Sequence, residues 1–97
     1  MQLKAVDTME KFRAQALAEG FDEVLERVWA SGLEIETHSH PFDAEAIVTR
    51  GDIWLSCAGK TQHLEPGDTF VVACGMPHAE RYGPQGATYW VARRIPR

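Results

Sequence analysis

Cysteine is scarce in this chain. Only Cys57 and Cys74 occur, outside any C-x-x-C pair. That is far below the cysteine density of a disulfide-stapled secreted mini-protein, so reduced thiols are the expected state. Positive charge is short as well, with 10 Lys plus Arg against 14 Asp plus Glu and a net charge of −4. The only basic cluster, Arg93, Arg94 and Arg97, reads as a solvated end, so no nucleic-acid partner is expected. No run approaches the ~18 consecutive apolar residues of a membrane-spanning helix, so no membrane partner is expected either. The segment from Met1 to Asp7 lacks the apolar stretch of an export signal, which leads us to expect a cytoplasmic protein. With 97 residues there is room for one domain, residues 1–97, and no attached second module.

What is present divides into one helix and a β-rich remainder. Residues 8–20 read as a helix, with Asp7 as cap, Glu10 in the reciprocal position of a capping box, Met9, Phe12, Ala16 and Leu17 at helical spacing, and Gly20 as the stop. A helix of about three turns is marginal alone in water and must dock on something. Residues 22–94 then read as an antiparallel barrel, in short runs of Val, Ile, Thr, Trp and Tyr. The spacing predicts eight strands, at residues 23–30, 33–37, 45–49, 53–58, 62–64, 69–73, 78–82 and 88–93. Between them lie breaks such as Arg50-Gly51-Asp52 and Gly83-Pro84-Gln85-Gly86. Apolar residues on both faces of Ile47-Val48 and Phe70-Val71-Val72 predict strands between a filled interior and a covering layer, supplied by the helix or a second subunit.

The four histidines carry the chemical information. His38 and His40, one residue apart, project to the same face of a strand, where their ring nitrogens can converge on one ion. His78 lies near the start of a distant strand and could complete a facial set of nitrogens. His63, in a short polar segment, reads as exposed. The alternative for such a pair is two histidines that are merely solvated or hydrogen-bonded.

Two spaced patterns surround these residues. Gly32 to Gly51 reads G-x5-H-x-H-x4-E-x5-G, and Gly67 to Tyr82 reads G-x5-A-C-G-x2-H-x3-Y, with 15 residues between them. The pair resembles the two signatures of the cupin superfamily, G-x5-H-x-H-x3,4-E-x6-G and G-x5-P-x-G-x2-H-x3-N, over about half of the chain. The resemblance implies an all-β fold, a small antiparallel β-barrel or jelly roll of the conserved-barrel type, with the one N-terminal helix added. It also implies that His38, His40, Glu45 and His78 hold a divalent transition metal: Fe, Mn, Ni, Cu or Zn. Ala73 and Tyr82 replace the proline and asparagine of the second signature. The interval from Glu45 to Gly51 is one residue short, so counting back from Gly51 puts Ala44 in the carboxylate slot. Glu45, a three-histidine site, and Glu36 or Glu80 therefore all stay open as the completion of the set.

Parity adds two expectations. A regular strand through Leu33 to His40 would turn Glu34 and Glu36 inward and Ile35 outward, so a bulge near Thr37 is expected. In the last signature, His78, Glu80 and Tyr82 share one face, with Ala79 and Arg81 on the other. If that face is the interior, Glu80 orients a histidine and Tyr82 offers a hydroxyl to substrate, and these two are the catalytic candidates. Otherwise Glu80 is a surface partner of Arg81 or Arg93, and Tyr82 a packed aromatic. Phe42, Trp54, Phe70, Met76 and Trp90 read as core or pocket wall. Cys74 reads as buried and inert.

Two functional readings follow. The first is a metal-dependent enzyme, dioxygenase-like or isomerase-like, acting on a small molecule inside the barrel. The second is a non-enzymatic module that binds a metal or small ligand. A short helix and open sheet edges also predict a homodimer.

Overall fold

The computed structural model describes residues 7–96. The segment read above for an export signal, residues 1–6, and Arg97 of the basic cluster lie outside the described residues.

Helix α1 spans Met9–Ala18, and its cap is Thr8 rather than Asp7. Thr8 is extended (φ −135, ψ 152) and its hydroxyl accepts from the amide of Lys11, which satisfies one of the free donors of the first turn. Asp7 instead pairs with the Lys11 ammonium at 3.0 Å, in solvent. At the other end Gly20 takes φ 92. Its amide donates to the Leu17 carbonyl, and the amide of Phe21 donates to the Ala16 carbonyl. This is the reverse-turn arrangement that ends many helices. Phe12 and Ala16 are fully buried, but Leu17, read at the same helical spacing, is half exposed.

Six strands follow: β1 (Glu23–Trp29), β2 (Glu34–His38), β3 (Asp43–Cys57), β4 (Lys60–Leu64), β5 (Thr69–Val72) and β6 (His78–Arg94). All pairings are antiparallel, in the order β1-β6-β3-β4, with β2 also on β6 and β5 also on β3. The eight expected strands become six because two glycine-containing breaks do not reverse the chain. β3 runs through Arg50-Gly51-Asp52 and β6 runs through Gly83-Pro84-Gln85-Gly86. The β3–β6 register shifts between Val48 and Arg50 and again between Gly51 and Ile53, so both long strands bend at a corner. Gly51 and Gly86 meet there with φ 67 and 70, and a Cβ on Gly51 would collide with the carbonyl oxygen of Gly86. The turn chemistry was legible, but it is used to bend a strand.

The bent strands wrap one interior. On β3, Ala44, Ala46 and Val48 point inward against Val72, Tyr89 and Val91, whereas Ile47 points outward. Ile47 and Ala92 are covered by Phe12, Ala16, Phe21 and Val24. The helix is therefore the covering layer that the two-sided apolar strands require. No helix of the described residues is long and apolar enough to cross a membrane.

Candidate metal centre

The three histidines come from two separate stretches of chain. The register of β2 on β6 is Glu34 to Arg81, Ile35 to Glu80 and His38 to His78, with an irregularity between Ile35 and His38. This is the expected bulge near Thr37. It lets Ile35 and His38, an odd number of positions apart, both face the interior, where a regular strand would send them to opposite sides. His40 follows in the connection to β3, and its carbonyl accepts from the amide of Gly75 at 2.8 Å, which pins that connection to the turn before β6. His78 is the first residue of β6 and is 2% exposed. The ring centroids lie 4.4 Å (His38–His78), 4.7 Å (His40–His78) and 5.0 Å (His38–His40) apart.

One ring nitrogen from each histidine lies within 4.8 Å of the others, a spacing at which a single metal ion could be held. Backbone carbonyls orient two of the rings. His38 Nδ1 is 2.7 Å from the Glu36 carbonyl, and His78 Nδ1 is 2.9 Å from that of Met76. A carbonyl only accepts, so in each ring Nδ1 carries a proton and Nε2 is the atom left to face an ion. Buried Nδ1 of His40 has no hydrogen-bond partner among the described residues. Burial foremost, then the neighbouring His78 and His38, then Arg93 and Arg27, push the His40 pKa down to about 4. The ring is therefore neutral and competent as a ligand at neutral pH.

A carboxylate stands beside the imidazoles. Glu80 lies on the inward face of β6, and its Oε2 is 3.5 Å from His38 Nε2. That oxygen is buried and accepts no hydrogen bond among the described residues. The Tyr82 hydroxyl donates to Glu80 Oε1 at 3.4 Å. Burial above all holds the Tyr82 phenol well above its usual pKa, so it is a donor and stays protonated. Its ring stacks on Trp29 at 5.2 Å. The expected parity of His78, Glu80 and Tyr82 is thus what the structure shows. Three converging imidazoles, with one buried carboxylate oxygen that has no hydrogen-bond partner beside them, form a donor set that fits a divalent transition metal.

Glu45 is not brought to this group. Its neighbours across the ladders are Val71, which is exposed, and Ala92, which lies under the helix. Strand alternation therefore puts Glu45 on the outer face and Ala44 on the inner. Counting back from Gly51 identifies the inward position correctly. Glu36 is exposed and contributes its carbonyl, not its carboxylate. His63 is exposed as expected, 2.7 Å from Asp52 Oδ2 and stacked on Trp54.

Phe42 and Phe70 line the cavity above the histidines, with His40 stacked on Phe42 at 4.7 Å. Trp54 instead lies on the outer face beneath Arg81, Trp90 packs near Phe12, and Met76 is exposed. Cys74, expected buried, is exposed in the turn after β5, where its amide bonds to Asp43 Oδ1. Arg93, read above as part of a solvated end, and Arg27, not singled out in the sequence, both line the cavity. Their signal was parity, since Arg27 alternates with Leu25 and Trp29, and Arg93 with Tyr89 and Val91, all inward. The cavity measures about 100 Å³.

Residues 24–89 match the family model for the cupin domain. No curated protein matches the chain. Among solved structures, the DMSP lyase DddQ from Ruegeria pomeroyi is 26% identical with a TM-score of 0.63, over 73% of this chain and 36% of that one. An RmlC-like cupin from Shewanella frigidimarina is 22% identical (TM-score 0.67, 76% and 66% covered). KdgF from a Halomonas species is 21% identical (TM-score 0.64, 76% and 69% covered). The chain spans little more than a third of the length of the DMSP lyases it matches.

Proposed function

The chain belongs to the cupin family, and from that premise we propose that it is a metal-dependent enzyme acting on a small organic molecule inside the barrel. His38, His40 and His78 are the ligands, and the metal is a divalent ion of the series Fe, Mn, Ni, Cu or Zn. The observation that supports this most is the convergence of three ring nitrogens within 4.8 Å, two of them presented by carbonyl-bound rings. Such an ion, when bound, supplies Lewis-acid polarisation of a substrate oxygen.

The chain's own residues favour proton transfer as the reaction. Glu80 holds a carboxylate oxygen without a hydrogen bond in the cavity, 3.5 Å from His38 Nε2 and in place to take a proton from a substrate carbon at Oε2. Tyr82 steadies the other oxygen with a hydroxyl that stays protonated. Phe42 and Phe70 keep water from the bound molecule. Chemistry of the isomerase or lyase kind is the reading, and two of the similar structures carry the name DMSP lyase. The test is metal analysis of protein purified without a histidine tag, then proton exchange from small carbon acids in D2O, followed by NMR. About one metal per chain with exchange lost in Glu80→Gln supports the enzyme. Absence of metal would overturn the site, tight metal without turnover would favour a binding module, and substrate-dependent O2 uptake would favour a dioxygenase-like reaction.

A further inference from the structure

We infer that Arg93, assisted by Arg27, makes this cavity a receptor for a small carboxylate, so that the substrate is a short monocarboxylic acid anion with an apolar body. This deepens the reading above and rests on the cavity being the substrate site.

Arg93 carries the argument. It lies at the inward end of β6, and its Nη1 donates to Glu23 Oε1 at 3.1 Å. Its guanidinium lies over the Phe42 ring, 4.6 Å from the centroid. Nε is buried and has no hydrogen-bond partner among the described residues. An arginine engaged through Nη1 still offers the edge formed by Nε and Nη2, a two-donor fork that matches the two oxygens of a planar carboxylate. A buried donor without an acceptor is costly, and a ligand oxygen would remove that cost.

Arg27 adds a second positive charge on the same wall. Its guanidinium rests 4.7 Å from the centre of the Trp29 ring, and it forms no ion pair among the described residues. Opposing charge in the cavity comes from Glu80, and Glu23 neutralises part of Arg93. Two guanidiniums against one carboxylate leave this wall of the cavity positive, which favours an anionic ligand.

Size and polarity narrow the ligand further. A cavity of about 100 Å³ admits a small molecule, of the size of a short-chain acid. Beside the guanidiniums the walls are Trp29, Phe42, Phe70 and Val91, which suit a short hydrocarbon body.

The test is calorimetric titration of chelator-treated and metal-loaded protein with propanoate, butanoate and the uncharged isostere propanamide. The Arg93 Nε–H resonance is followed by ¹⁵N NMR. The carboxylates should bind, the amide should not, and the Nε–H signal should shift on binding. Arg93→Gln should weaken carboxylate binding by about tenfold or more, with metal uptake unchanged. Arg27→Gln should weaken it less. Glu23→Gln, which keeps Arg93 and releases Nη1, guards against a folding artefact and should bind as well as the parent protein or better. Equal binding of propanoate and propanamide, or an unmoved Nε–H signal, would overturn the inference. Carboxylate binding by protein that takes up no metal would leave the inference standing and remove the metal-dependent enzyme, so the two failures are distinct.

Discussion

His38 Nε2 and Glu80 Oε2 face each other across 3.5 Å. His38 donates an Nδ1 proton to the Glu36 carbonyl, which leaves Nε2 as the ring atom that meets the buried carboxylate oxygen of Glu80. The contact ties β2 to the inward face of β6 and sets a carboxylate beside the three converging imidazoles.

Replacing His78 by Ala should abolish stoichiometric metal binding, because it removes one of three donors from a group that spans 4.8 Å. Glu45→Ala should leave metal content intact, since Glu45 sits on the outer face with Ala92 and Val71. Elemental analysis of both variants checks the assignment. Loss of metal in Glu45→Ala with the fold preserved would reject the three-histidine site.

Glu80→Gln is isosteric and should lower kcat by about 10²- to 10⁴-fold, the usual worth of a positioned acid or base. Metal content should change little. Tyr82→Phe should cost far less, because it removes one 3.4 Å hydrogen bond to Oε1 and keeps the ring stacked on Trp29. Steady-state kinetics with KM and kcat separated distinguishes these outcomes.

Metal-free protein should lose stability as the pH falls from about 6.5 toward 4. An unfolded histidine takes its proton near pH 6.5, whereas burial and its charged neighbours hold His40 down to about 4. Between these values the unfolded chain binds more protons, so stability rises with pH across the window and declines on acidification. Urea midpoints at several pH values should show a shallower slope for His40→Phe. An unchanged slope would mean that His40 is not the responsible group.

Phe12→Ala should destabilise the fold by about 3 kcal/mol, the lower part of the range for emptying a buried phenylalanine site. Phe12 is fully buried between the helix and the outer face of the barrel. Chemical denaturation is the measurement, and a loss below about 1 kcal/mol would mean that the helix is not the barrel's cover.

Gly51→Ala should be far more damaging than Gly32→Ala. Both glycines have positive φ (67 and 66), and a Cβ meets nothing within 4 Å at Gly32 but strikes the Gly86 carbonyl at Gly51. Gly32→Ala should therefore cost only the left-handed backbone penalty of about 1–2 kcal/mol. Gly51→Ala should add the cost of parting two bent strands. Comparable denaturation midpoints for the two variants would reject the corner contact.

The histidine triad, the helix and most strand segments were legible because each rests on a local rule. Spacing put His38 and His40 on one face, and the failure of simple parity at Ile35 announced the bulge that the β2–β6 register contains. Even the ambiguity of Glu45 was visible as a one-residue conflict between two counts. Arg93 was read as part of a tail because a charged strand end looks the same whether it meets water or a cavity. Its pairing with inward-facing Ala44 of β3 shows that it faces the cavity.

By itself, the sequence determined the β-rich character, the turn-forming glycines and the identity of the imidazoles. These follow from composition and from the 2.0 and 3.6 residue periods, which act over a few neighbours. Tertiary structure decided that Gly51 and Gly86 form a corner instead of two turns, that Ala44 and not Glu45 faces the histidine cluster, and that Glu80, Arg27 and Arg93 share a cavity with it. Those outcomes depend on how two long strands bend and close on each other, and closure is set by contacts between residues more than 30 positions apart in the chain, such as Gly51 with Gly86.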